Sequence, residues 1–216
     1  FPVHFSGQGA DATSFTPSVS TNGWRGLSTQ MWNLEFTHMH IGPTATLIFH
    51  DNSTQTAGTP KVTVRDSIMG SLTSGTRMFY PRASEHRAVR CKLQNTVDTT
   101  KQNATPSGAG KFTAEACIIN GGRINVETGG ALTLLNNTLL NYSPAGVTMI
   151  AGATVAPEIS NNVFAGTSAG LPIANSSALV LDATTIGGNY YGRPMAEGLV
   201  PESPLQIAGP LAWDET

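Results

Sequence analysis

The sequence predicts an all-β chain: a right-handed parallel β-helix (a solenoid) of about seven coils, three strands per coil, with irregular capping segments at both ends. Three observations predict it. First, one short phrase returns at intervals of 20 to 27 residues: alternating apolar residues, a small polar residue, another apolar residue, then often Gly or Asn. A strand-built repeat of that length is the signature of a solenoid. Second, Gly, Ser, Thr and Asn are abundant and Lys is scarce, which suits many turns between short strands and gives little material for amphipathic helices. Third, three strands of four or five residues at ~3.3 Å per residue, with their turns, consume about 20 to 25 residues, the observed period.

The phrase aligns on its last apolar residue as Ile41, Ile68, Leu93, Ile119, Leu139, Phe164 and Ile186. Two residues earlier runs a second register: Met39, Asp66, Cys91, Cys117, Asn137, Asn162 and Thr184. Upstream lie alternating pairs such as Leu34 and Phe36, Phe112 and Ala114, Leu132 and Leu134, and Leu179 and Leu181. Val62 and Val64 fit less well and predict a one-residue slip or bulge near Asp66. A further strand separates the phrases, marked by Leu47 and Phe49, Met78 and Tyr80, Ile124 and Val126, and Val147 and Met149. Turn clusters such as Thr128-Gly129-Gly130 and Asn175-Ser176-Ser177 divide the strands. Coils stacked about 4.8 Å apart pair like with like in parallel sheets, so inward residues form apolar columns. Parallel crossovers are right-handed almost without exception.

Residues 34–192 form the predicted helix, with residues 1–33 as an N-terminal cap or assembly segment and 193–216 as a Pro-rich C-terminal tail. Open solenoid ends expose strand edges and raw core, so both segments are expected to cover an end or contact another chain.

The copies Leu132–Asn141 and Pro157–Gly166 carry the pattern apolar-x-apolar-x-Asn-Asn-x-apolar-x-Gly/Asn most clearly. This phrase resembles the repeat of the pectate-lyase-like group of right-handed parallel β-helices, across roughly residues 34 to 190, and within the group most resembles bacteriophage tailspike and virion proteins. The resemblance implies that the second Asn of the pair sits in a tight bend and stacks in a side-chain ladder, a role that falls to Asn137 and Asn162. Asp66, Cys91, Cys117 and Thr184 share that column. Cys91 and Cys117 fall on consecutive coils, where Cα separations of about 5 Å permit a disulfide; two buried thiols are the other reading.

Bulk properties bound the partners. Charged residues make up 12% of the chain and the net charge is −2, so no global field favours nucleic acid or a membrane surface. No apolar run approaches the roughly 18 residues of a membrane-spanning helix. The Asn-x-Ser/Thr sequences at Asn52, Asn103, Asn136, Asn141 and Asn175 are what chance supplies in so Asn- and Thr-rich a chain.

The best-defined surface cluster is basic. His38 and His40 flank Met39, Arg65 lies one coil on, and Arg90 and Lys92 flank Cys91 in the next. Stacking is expected to place His38, Arg65 and Arg90 in one outward column and His40, Ser67 and Lys92 in another. Such a cationic stripe suits the carboxylate or sulfate groups of an acidic polysaccharide. His38, His40, His50 and Asp51 have some metal-ligand character, but no metal site and no cofactor are assigned. The Asn-Thr-Asp, Asp-Asp and Gly-His-Gly motifs of polygalacturonase-like hydrolases do not occur. Residues 117–190 contain only Arg123, Glu127, Glu158 and Asp182 as charged residues. No pair among them is placed for glycoside hydrolysis, which needs carboxyls about 5 to 9.5 Å apart. Ile118, Leu135 and Val163 should instead face outward as an apolar strip.

These observations point to a non-enzymatic structural or attachment protein, virion-borne or extracellular, acting as a rigid scaffold. Its expected partners are identical subunits in a homotrimer, other virion proteins and acidic polysaccharide, with no nucleic acid and no membrane insertion. The alternatives are a polysaccharide lyase or glycoside hydrolase of the same fold, and a secreted adhesin.

Overall fold

Alternation of period two, broken by a bend every few residues, gives strands too short to stand alone, and they are stable only by stacking on their equivalents one coil away. The structure, a computed structural model, describes residues 2–9, 14–15, 24–25, 33–42, 49–50, 61–70, 77–95, 101–165, 171–182, 184–195 and 198–201. Every described element is a strand, and the strands form three sheets of eight, nine and seven members. Within each sheet neighbours are equivalent strands of successive coils, parallel in every pair but the last of the second sheet. The chain is an all-β parallel solenoid.

One coil shows the pattern: Lys111–Glu115 in the first sheet, Ile118–Asn120 in the second, Arg123–Val126 in the third, then a turn into Ala131–Leu135 of the next coil. About five turns, residues 61–175, repeat this regularly, against the seven expected. In the earlier coils the second- and third-sheet strands shrink to two residues each (Ser14–Phe15, Trp24–Arg25, His40–Ile41, Phe49–His50). Pro2–Ser6 nevertheless pairs in register with Asn33–Thr37, so part of the segment read as an N-terminal cap adds a rung to the first sheet.

Inward columns build the core. The first sheet stacks Phe5, Phe36, Val64, Ala88, Ala114, Leu134, Ile159 and Ile186, and the second stacks Ile41, Met69, Leu93, Ile119, Leu139, Phe164 and Tyr191. Phe49, Phe79, Ala104, Ile124, Val147 and Ile173 line the third. Rings meet within and between the columns: Phe5 and Phe36 stack at 4.9 Å along one column, and Phe79 of the third sheet lies 5.0 Å from Phe112 of the first. Each such side chain, fully buried, contributes about 1.5 to 3 kcal/mol.

Two details of register differ from the sequence reading. Near Asp66 no bulge occurs, because Lys61–Arg65 pairs residue for residue with both neighbouring strands, and the expected one-residue slip is that of the phrase itself. Met69, not Ile68, is the inward residue there, since that coil is longer than the next. Ile186 belongs to the first sheet, in register with Ile159, and Tyr191 takes the second-sheet position assigned to it.

The C-terminal end is closed by its own chain. Asn175, the last inward residue of the third sheet, donates from Nδ2 to Leu179 O at 2.8 Å and accepts from Ser177 N at 3.0 Å. The loop so shaped drops Leu181 onto the core, fully buried. Tyr190–Met195 then turns back against Gly198–Pro201 in the only antiparallel pair among the described strands. That hairpin ends parallel addition on the second sheet. Residues 202–216 of the expected tail lie outside the described residues.

Candidate functional site

The bend between the first and second sheets is the most regular feature. One residue per coil takes a left-handed conformation there: His38, Asp66, Arg90, Ala116, Asn136, Asn161 and Gly188, with φ between 48° and 66°. Asn and Gly tolerate that region best, which explains the first Asn of each Asn-Asn pair. The next residue points inward, giving the column Met39, Ser67, Cys91, Cys117, Asn137, Asn162 and Asn189, all buried.

These residues form a continuous ladder. Asn162 N–H donates to Asn189 Oδ1 at 2.9 Å, Asn137 N–H to Asn162 Oδ1 at 2.8 Å, and Cys117 N–H to Asn137 Oδ1 at 2.9 Å. Cys91 N–H donates to Cys117 Sγ at 3.4 Å, and Met39 N–H to Ser67 Oγ at 3.2 Å. The side chains of Ser67, Cys117, Asn137, Asn162 and Asn189 thus each accept from a buried amide one coil back. Asp66 and Thr184, assigned to this column from the sequence, are not in it. Asp66 is the outward bend residue, and Ser67 takes the inward place. Thr184 is an exposed residue of the turn at Asp182, and Asn189 is the ladder residue. Cys91 and Cys117 are free thiols. The bond to the Cys117 sulfur, with burial, pushes the Cys91 thiol above its ordinary range.

The basic residues are arranged differently from the expected stripe. His38, Asp66 and Arg90 share the bend column, whereas Arg65 lies one position earlier, in register with Thr37 and Val89. His40, Ile68 and Lys92 share the second-sheet column, with Ser67 inward. Carboxylates interleave with the cations. Arg90 Nε and Nη2 donate to Asp66 Oδ1 and Oδ2 at 2.7 and 2.8 Å, a bidentate pair that holds the Asp66 carboxyl below its usual range. Arg65 Nε reaches Glu35 Oε1 at 2.8 Å, Arg87 pairs with Glu115, and Glu85 bridges Lys61 and Lys111 at 3.0 and 3.7 Å. Of the five candidate glycan contacts, Arg65 and Arg90 are ion-paired; His38 and Lys92 are exposed and His40 is half-buried.

His50 stacks on Tyr80 in the third sheet, centroids 5.1 Å apart, well separated in the coil from His38 and His40, and Asp51 lies outside the described residues. No group of three or more His, Cys, Asp or Glu able to hold a metal occurs among the described residues. Ile118, with 45% exposure, shares an outward second-sheet column with Thr138 and Val163, and Leu135 lies in the first sheet beside the bend.

The corner between the third sheet and the first holds a feature the spacing of the sequence does not reveal. The turns at 81–84, 106–110 and 127–130 stack by backbone bonds: Ser107 N–H to Pro81 O at 3.0 Å, Gly108 N–H to Thr128 O at 2.7 Å and Glu127 N–H to Pro106 O at 3.0 Å. Tyr80, Arg82, Ser107, Glu127, Thr128 and Ile150 line a groove of about 370 Å³ along this corner. Behind it, Arg77 lies 4.3 Å from the Tyr80 ring centroid and reaches Glu127 Oε1 at 3.5 Å. Arg82 lies 5.6 Å from the same centroid. Arg77, Arg82 and Glu127 are up to fifty residues apart in the chain, so only the stacking of coils brings them together.

Fold and site together define a parallel β-solenoid stapled by a buried side-chain ladder, with its surface charges paired between coils. Scans against protein-family models, curated proteins and solved structures return no match.

Proposed function

We propose that the chain is a non-enzymatic structural or attachment protein, a virion tail or surface component of the tailspike kind, working as a rigid scaffold in a homotrimer. One observation carries the reading: each of the described carboxylates already has a partner within the chain, most of them a cation on a neighbouring coil. Glu35, Asp66, Glu85, Glu115 and Glu127 are held by cations, Glu158 lies 3.5 Å from the Thr133 hydroxyl, and Asp182 accepts from Thr184. A solenoid with its surface charges tied coil to coil resists bending and twisting, which suits a shaft or stalk. The half-exposed column of Ile118 and Val163 supports packing against identical subunits. Glycan contacts at His38, His40, Arg65, Arg90 and Lys92 complete the proposal, with Arg65 and Arg90 exchanging a carboxylate of the chain for one of the ligand.

Light scattering of the purified chain tests it. A stable trimer is the expected result, and a clean monomer at micromolar concentration overturns the assembly reading. A depolymerisation screen on acidic polysaccharides is expected to find no turnover; turnover abolished by Arg65→Ala would establish a lyase or hydrolase instead.

A further inference from the structure

Two adjacent rungs of the ladder carry thiols where the later rungs carry amides. Cys91 and Cys117 are 26 residues apart in the chain and stand on successive coils in the same column. Their strands are in register on both sides of the bend: Val89 pairs with Glu115, Lys92 pairs with Ile118, and Ile118 N–H donates to Cys91 O at 2.9 Å. Both thiols are free and buried, at 3% and 2% exposure. Stacked strands run about 4.7 to 4.9 Å apart, inside the roughly 4.4 to 6.8 Å that a disulfide spans between Cα atoms. Cys117 Sγ lies between the two coils, 3.4 Å from Cys91 N. The Cys91 thiol bonds to that sulfur and holds the Cys117 thiol below its ordinary range, against the opposing effect of burial. As a ladder bond the contact is poor. Asn137, Asn162 and Asn189 accept their amides at 2.8 to 2.9 Å through oxygen, whereas sulfur is a weak acceptor.

We propose that Cys91 and Cys117 are a redox-sensitive staple, closed by a low-molecular-weight disulfide into a reversible bond that joins the coil at 85–94 to the coil at 111–120. Cys117 Sγ, as thiolate, attacks one sulfur of the reagent, and the reagent thiolate that leaves takes up the proton Cys117 gave. Cys91 Sγ then attacks Cys117 Sγ in the mixed disulfide, and its proton goes to the second reagent thiolate. The cysteine pair gives up two electrons and two protons, and one reagent disulfide becomes two thiols. Because both sulfurs are buried, the first attack takes place while this bend is locally open. The bond strengthens the ladder at its weakest join, between Ser67 and the first amide rung at Asn137. Passage from a reducing to an oxidising compartment closes it. The inference goes beyond the scaffold reading and does not depend on it.

The test is oxidation of the reduced, folded full chain by hydroxyethyl disulfide, read by mass and by alkylation in denaturant. The chain is expected to lose the mass of two hydrogens and to take up no alkylating agent, and a dithiol reductant should restore both thiols. The oxidised chain should unfold at a urea midpoint higher by about 1 M or more. Hydrogen exchange should slow most in the coils at 85–94 and 111–120. Cys91→Ser and Cys117→Ser should show neither gain, and melting curves establish that they fold; the mass and midpoint of the unaltered chain decide the matter without them. Thiols still fully alkylated, a lasting reagent adduct, a bond between two chains, or an oxidised midpoint no higher than the reduced one each overturn the staple. Light scattering is done on the reduced chain, so failure of the staple and failure of the scaffold reading are separable.

Discussion

Replacing Asn162 by Ala removes the most connected rung of the ladder. Asn162 Oδ1 accepts from Asn137 N at 2.8 Å and Asn137 Nδ2 at 3.0 Å; Asn162 Nδ2 donates to Leu134 O, Ser160 O and Asn189 Oδ1, each at 3.0 Å. The site is closed to water, with Asn137, Asn162 and Asn189 at 1%, 1% and 2% exposure. After truncation the Asn137 amide has no acceptor, and the side chains on either side each lose a partner. Each buried polar group left unpaired costs about 1 to 3 kcal/mol, so the expected total is about 3 kcal/mol, eased where neighbours relax. With a urea slope of about 1 to 3 kcal/mol per molar, the unfolding midpoint should fall by about 1 M or more. Because repeat arrays unfold by nearest-neighbour units, hydrogen exchange should also rise first in the coils at 131–140 and 158–165. Asn161→Gly is the matched control. Its position is exposed with φ 57°, where glycine is unstrained, so it should change stability by less than about 1 kcal/mol. A midpoint shift in Asn162→Ala no larger than in Asn161→Gly would refute the ladder as a source of stability.

Acid should loosen the chain through His86, which is buried between Val62 and Phe112 in an inward column with Nε2 2.9 Å from Ser84 Oγ. Burial, with His50 adding, holds its pKa down to about 3 from 6.5. The unfolded chain therefore binds the extra proton first, and the contribution present above pH 6.5 is lost as pH falls toward 3, at up to about 1.4 kcal/mol per pH unit; His86→Leu should flatten that part of a stability–pH curve. Gly130→Ala should cost about 2 kcal/mol or more in a melting experiment, since its Cβ meets the Pro106 carbonyl at 2.1 Å and backbone must move. Raising salt from 0.05 to 1 M should speed hydrogen exchange in the coils at 33–115, joined by surface ion pairs, and leave those at 131–175 unchanged; a uniform response contradicts that division.

The repeat was legible because its signal is local: alternation, a bend residue and turn glycines fall within ten residues of one another. Asn137 and Asn162 were legible because Asn-Asn satisfies two separate demands, a left-handed bend and an inward amide. Where other residues meet those demands the pattern misleads. At Asp66-Ser67 the polar residue resembling the ladder Asn is the bend residue, and at Gly188-Asn189 glycine takes the bend, so the last copy reads as loop. Leu179 to Ile186 imitates the phrase, but Leu179 and Leu181 belong to the closing loop and Ile186 to the first sheet. His86 was hidden between Glu85 and Arg87, a run that looks wholly exposed. The corner groove could not be read at all, because Tyr80, Arg82 and Glu127 meet only through the register of stacked turns.

Two kinds of coupling hold successive coils together, and they change places along the axis. Met39, Ser67 and the two thiols give the early rungs one or a few weak ladder bonds, whereas Asn137 and Asn162 give the later rungs several. The ion pairs run the other way: Glu35 with Arg65, Asp66 with Arg90, Glu85 with Lys61 and Lys111, and Arg87 with Glu115 all join coils before residue 116. Exposed pairs are screened by salt and exchange partners readily; buried amide bonds do neither. The early half is thus held largely by exchangeable surface pairs and the later half by buried bonds. On the proposed function, ligand contact falls to the first and burial against another chain to the second.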